Sequence, residues 1–180
     1  MSNFIFSFDV ESNGLHGEGF AVGYVVLAKG GDGEYSEVEC DIFVAPTPAE
    51  ADVDPWVAAN VLDALPMPSH PDARTMRSDF WDRVQHWRRQ GAIFIADCNW
   101  PVEAGFLIAC VQDAIEGRAW KGPYPMHEVA TMRLAAGLDP LGTNDRLEGE
   151  LPKHHPTADA RQSARLWVEA KALLDGRDSK

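Results

Sequence analysis

"NFIFSFDVE", Asn3 to Glu11, decides the fold. Phe4, Phe6 and Phe8 point to one side, and Ser7, Asp9 and Glu11 to the other, the two-residue period of a β-strand. Asp9 and Glu11 therefore share one face at the end of a strand that should be buried. Burying two charges costs free energy unless something compensates them. The rest of the chain must supply that compensation.

Reading outward, "GFAVGYVVLAK" (Gly19–Lys29) predicts a second strand, and "GGDGE" a hairpin turn. "YSEVECDIFVAP" predicts a third strand, ended by Pro46. The chain thus opens as an antiparallel three-strand meander. A short helix is expected from Trp56 to Leu65, until the prolines of "LPMPSHP" stop it. Ser78 reads as the N-cap of "DFWDRVQHWRRQ", with Phe80, Trp81, Val84 and Trp87 near one face and Gly91 as its stop. "AIFIADC" is a nearly all-apolar strand of the kind found in the middle of a sheet. Pro101 opens the next helix, which runs to Gly117. "MHEVATMRLAAGL" reads as a short strand passing into a helix, Asp139 to Pro152 as loop, and "TADARQSARLWVEAKALLDG" as the last helix. This order predicts an α/β fold, a central mixed five-stranded sheet flanked by helices. No repeat or linker divides it, so residues 1–180 are expected to form one domain, with 176–180 a flexible tail.

The net charge of −12 argues against wrapping duplex DNA, where neutralising phosphates dominates affinity. It leaves room for a small nucleic-acid substrate, because a bound divalent metal reverses the local field. No apolar run is long enough to span a membrane, and the N-terminus lacks the basic start and apolar stretch of a signal peptide. Cys40, Cys98 and Cys110 form no CxxC pair, which suits a reducing cytoplasm.

Four carboxylates fall at element ends. Asp9 and Glu11 close the first strand, Glu103 lies in the first turn of the helix after the buried strand, and Asp159 in the first turn of the last helix. His154 precedes Asp159 by five residues. All-oxygen ligation suits Mg²⁺ or Mn²⁺. Each acid alone is also explained as a helix cap or a solvated surface charge. The combination in chain order points to a metal site.

These segments resemble the motifs of the DEDD exonucleases, in their histidine-containing (DnaQ-like) branch, of the ribonuclease H-like superfamily. "FDVESNGL" is similar to the first motif, FDxET(T/S)GL, through Asp9, Glu11, Gly14 and Leu15. "CNWPVEAGFL" resembles the second, HNAxFDxxFL, through Asn99, Phe106 and Leu107, with Glu103 where aspartate is usual and Cys98 where histidine is frequent. "HHPTADA" supplies the third, H-x4-D, as His154 and Asp159.

The resemblance implies a ribonuclease H-like fold and a metal-dependent 3′–5′ exonuclease acting on single-stranded RNA or DNA ends or short oligonucleotides. It implies two divalent cations, Mg²⁺ or Mn²⁺, held by Asp9, Glu11, Glu103 and Asp159, with His154 as general base. Ser12, Asn13, Gly14 and Leu15 would hold the terminal nucleotide, and Asn99 and Phe106 would help to bind it. Phe106 also reads as ordinary helix core. Asp97 is the alternative to Glu103 as ligand, and His155 is a neighbour of the base. Lys153, Arg161 and Arg165 are either contacts to the following phosphates or solvated charges. Trp81, Trp87, Trp100, Trp120 and Trp167 read as core or interface, and several members of the family are homodimers. A catalytically weak nucleic-acid-binding relative, favoured by Glu103, and a non-enzymatic interaction protein are the alternatives.

Overall fold

The computed structural model describes residues 3–142 and 145–177. Strands β1 (Phe4–Ser12), β2 (Gly19–Lys29) and β3 (Tyr35–Val44) form the antiparallel meander. Strands β4 (Ile93–Ala96) and β5 (Met126–Glu128) continue the sheet in parallel, in the order β3-β2-β1-β4-β5. β1 is therefore central, and its C-terminal end lies beside that of β4. Crevices at such strand ends are the usual ligand sites of α/β sheets.

The alternation in β1 sorts its residues onto two helical layers. Phe6, Phe8 and Val10 meet helix α2 (Ala73–Arg89) through Met76, Phe80, Trp81, Val84 and Trp87, and helix α3 (Val102–Gln112) through Phe106 and Cys110. On the other face, Ile5 joins Ile95, Val129, Leu166 and Trp167, contributed by β4, α5 (Val129–Ala135) and α6 (Pro156–Arg177). Ala160 and Ala164 of α6 lie directly on Val25. These small side chains let the helix lie close to the sheet.

At its N-terminal end α6 comes closer still. A Cβ on Gly23 would lie 2.3 Å from the Thr157 nitrogen and 2.6 Å from the Pro156 carbonyl carbon. Gly23 faces Asp9 across the β1–β2 ladder. A glycine inside a strand marks a close approach of another backbone, and this one admits the start of α6 to the end of β1.

Some boundaries differ from those expected. α2 begins at Ala73, five residues before Ser78, because Asp72 accepts a hydrogen bond from the Thr75 N–H at 2.7 Å and caps the helix. The helix expected from Trp56 to Leu65 divides into α1 (Pro55–Asn60), capped by Asp54, and a 3-10 turn at Leu62–Ala64. The helix expected to reach Gly117 stops at Gln112. Non-helical backbone at Ala114 separates it from α4 (Ile115–Arg118), and Pro101 precedes its first turn. The loop before α6 contains a 3-10 turn at Glu148–Glu150. Of the tail expected over 176–180, Gly176 and Arg177 belong to α6, and 178–180 lie outside the described residues. Among the described residues no helix is long and apolar enough to cross a membrane.

Candidate metal centre

β1 delivers Asp9 and Glu11 to one face, and a register shift between Glu11 and Ser12 turns the chain immediately after them. Such irregularities re-aim side chains at strand ends. Asp97 follows β4 directly, and Glu103 lies in the first turn of α3. Asp159 comes from the first turn of α6, which Gly23 allows to dock beside Asp9. Glu11, His154 and Asp159 place ligand atoms within 4.8 Å of one another.

The carboxylates repel one another strongly. Burial pushes the Glu11 pKa up to about 8, with Asp159 and Glu103 adding to the rise. Burial also lifts Glu103 to about 7, against stabilising contacts from its own backbone N–H and that of Val10. Asp9 is held well above the ordinary carboxylate range, first by burial and then by Asp159, Glu103, Glu11 and Asp97. Asp97 is raised by burial and by Asp159, with Arg133 and Arg146 opposing. Acids that cannot all ionise at neutral pH lack counter-charge. An oxygen-rich cluster with one imidazole has the donor chemistry that suits a hard divalent cation.

Asp159 is already engaged. One carboxylate oxygen accepts from the Arg146 guanidinium, and the other accepts from the His154 N–H at 3.0 Å. His154 itself has φ of 62°, the left-handed region that side chains rarely adopt. The bond from its N–H to Asp159 helps to hold that backbone. Strain of this kind gathers at functional sites. Its ring is directed towards the cluster, with Nδ1 3.9 Å from a Glu11 oxygen, beyond hydrogen-bond range. On another side the Trp56 ring meets it edge-to-face, centroids 5.1 Å apart at 81°.

Beside the carboxylates lies a mainly apolar cavity of about 420 Å³, whose walls include Val10, Ser12, Leu15, Trp56 and Val102. Glu11 and Gly14 also border it, and Leu15 is exposed at its edge. Hydrogen bonds of Ser12 and Asn13 brace the chain beside this cavity. The Ser12 hydroxyl donates to the Gly14 carbonyl at 2.7 Å. The Asn13 amide donates to the Asp52 carbonyl at 2.8 Å and accepts from the Asp54 N–H at 2.7 Å. Asn13 therefore ties the end of β1 to the segment that carries Trp56.

Two expected binding residues lie elsewhere. Phe106 is packed in the core against Phe80, the alternative that the sequence also allowed. Asn99 borders cavities next to β5, with its side-chain oxygen buried and without a hydrogen-bond partner. Arg161 is bound to Glu37, and Arg165 to Glu150 and Glu169. Lys153 borders a second cavity, of about 330 Å³, that also meets His154, Arg146 and Asp97. His155, next to His154 in the chain, is half-buried. Trp81, Trp87 and Trp167 are core, whereas Trp100 and Trp120 are exposed.

Sequence reasoning missed Trp56 and Arg146. The only local hint for Trp56 is its place after the Asp54–Pro55 helix start. Arg146 has none, being in an aperiodic loop. A scan against protein-family models and a comparison with curated proteins find no match to this chain.

Proposed function

We propose that the protein is a metal-dependent 3′–5′ exonuclease of the DEDD type, with a ribonuclease H-like fold, acting on single-stranded RNA or DNA ends. One observation carries this reading: Asp9, Glu11 and Glu103, from two separate segments, have pKa values raised chiefly by burial, and Asp159 of a third segment adds to the rise in Asp9 and Glu11. The sheet, an antiparallel meander extended by two parallel strands, agrees with the fold.

Asp9, Glu11, Glu103 and Asp159 would hold two Mg²⁺ or Mn²⁺ ions, which when bound activate water and stabilise charge on the phosphoryl oxygens. The mainly apolar cavity between Leu15 and Trp56 takes the terminal base, and stacking on an aromatic ring accepts any base. His154 accepts the proton of the attacking water at a ring nitrogen, a role that suits an imidazole near neutral pH. Trp56 and the left-handed backbone fix the direction of that ring. Glu103 reaches one methylene further than aspartate and fills its place from the first turn of α3.

The test is incubation of 3′-extended, 5′-labelled single-stranded RNA and DNA with Mg²⁺ or Mn²⁺. Stepwise shortening from the 3′ end is expected, and its loss in Asp9→Ala and His154→Ala. Hydrolysis that survives Asp9→Ala overturns the metal assignment. A folded protein that neither shortens the strands nor gains thermal stability from divalent ions supports the interaction-protein reading instead.

A further inference from the structure

Arg146 is a cation in direct contact with the carboxylate cluster, and it sits on Asp159. Its placement is built rather than incidental. The same Nη1 donates to the Glu150 carbonyl at 2.9 Å. Glu150 is buried and clasped in turn by Arg165 of α6, at 2.6 Å and 2.9 Å, while Arg165 also donates to the Asp145 carbonyl at 3.0 Å. The segment carrying Arg146 is thus fastened to the helix that carries Asp159. Both members of the Arg146–Asp159 pair are largely shielded from water, with side chains 16% and 15% exposed, so solvent screens their interaction little.

A guanidinium on a carboxylate and a divalent cation on that carboxylate oppose each other. The arginine satisfies an oxygen that a metal would take, and its charge repels the metal from the position next to it. We infer that Arg146 is a positioning residue acting through Asp159: it serves as the counter-ion of the cluster until a divalent cation binds, and yields Asp159 to it. This rests on the reading of Asp159 as a metal ligand. The displaced guanidinium has a place to go, because Arg146 also borders the 330 Å³ cavity with Arg133 and Lys153. A phosphate there meets a cation released only once the metal is in place, so the metal precedes the nucleic acid. Among arginine's alternatives, lysine keeps the charge and glutamine removes it.

Calorimetric titration of Mn²⁺ into the metal-free protein tests the inference without any turnover. Arg146→Gln is expected to bind Mn²⁺ on the order of tenfold more tightly than the unaltered protein, through loss of a contact charge, and Arg146→Lys to stay close to it. Arg146→Met carries the same test should the glutamine variant not fold. In an Asp159→Asn background the substitution should change Mn²⁺ affinity little, since a double-mutant cycle isolates the pair. Unchanged or weaker Mn²⁺ binding by both charge-removing variants overturns the inference while leaving the metal centre standing. Absence of Mn²⁺ binding in every form overturns the metal centre, and this inference with it.

Discussion

Gly23 and Asp9 face each other across the β1–β2 ladder, and the space above Gly23 is filled by the backbone of Pro156 and Thr157. The hydrogen atom that serves as its side chain sets how near His154 and Asp159 come to Asp9. Gly23→Ala should force α6 outward, costing about 1–3 kcal/mol by overpacking, and should reduce hydrolysis in the surviving folded protein. Gly105→Ala is the matched control. It lies in α3 with open space around its missing Cβ, and alanine there should raise stability by roughly 0.5–1 kcal/mol. Urea unfolding of the two variants reads both signs, and a Gly23→Ala protein as stable as the parent would refute the close-approach account.

The raised carboxylates make the metal-free protein less stable as pH rises. A folded state whose acids titrate above their unfolded values holds protons that the unfolded chain has released, so stability falls with pH between those values. For Glu11 the window runs from 4.5 to about 8, and for Glu103 from 4.5 to about 7. Melting in EDTA should therefore decline from pH 5 to pH 8 and level off above. Asp9→Asn should shrink that decline and raise the melting temperature at pH 8 while abolishing hydrolysis. A profile that Asp9→Asn leaves unchanged would place the pH dependence outside the cluster.

His154 separates backbone strain from chemistry. His154→Gly removes the penalty of the left-handed conformation, whereas His154→Ala retains it, so glycine should be the more stable variant by roughly 1–2 kcal/mol. Both should lose roughly 10²- to 10⁴-fold in rate as general-base catalysis disappears. Equal stability of the two would show that the φ of 62° carries no strain.

Trp56 should act on binding more than on folding, since its ring is largely exposed. Trp56→Ala is expected to weaken binding of single-stranded ends by about 1–3 kcal/mol, the value of one base–aromatic stack. Trp56→Phe should restore most of it. Steady-state kinetics on a short oligonucleotide checks this, and an unaltered KM in Trp56→Ala would remove the tryptophan from the cavity's function.

Local patterns carried much of the fold. The alternation of β1 and the apolar run of β4 are signals within a few residues, and both strands lie where those signals put them. The caps were harder. Asp72 lies beside Pro71 at the end of a proline-broken segment, and a later serine offered a competing start. Motif position also did not fix side-chain direction, which is why Phe106 faces the core and Asn99 lies beside β5. Trp56 and Arg146 reach the site only because the short helix α1 and a loop dock across the fold, a long-range event that leaves no periodicity behind. Gly23 was visible as a glycine in a strand, but its meaning needed the register with Asp9 and the path of α6.

The hydrogen bonds of Asn13 also bear on how the protein ages. Asn13 precedes Gly14, a pair prone to deamidation because the glycine nitrogen can attack the side-chain amide unhindered. Here that amide is clamped at both ends, to Asp52 and Asp54, and cannot turn to meet it. Peptide mass mapping after storage at pH 8 should find Asn13 intact in the folded protein and converted in urea, and equal conversion in both would dismiss the protection. Once aspartate forms, the donor to Asp52 becomes an acceptor facing a carbonyl, and the join between β1 and the Trp56 segment opens. That join then lasts as long as the Asn13 amide stays clamped.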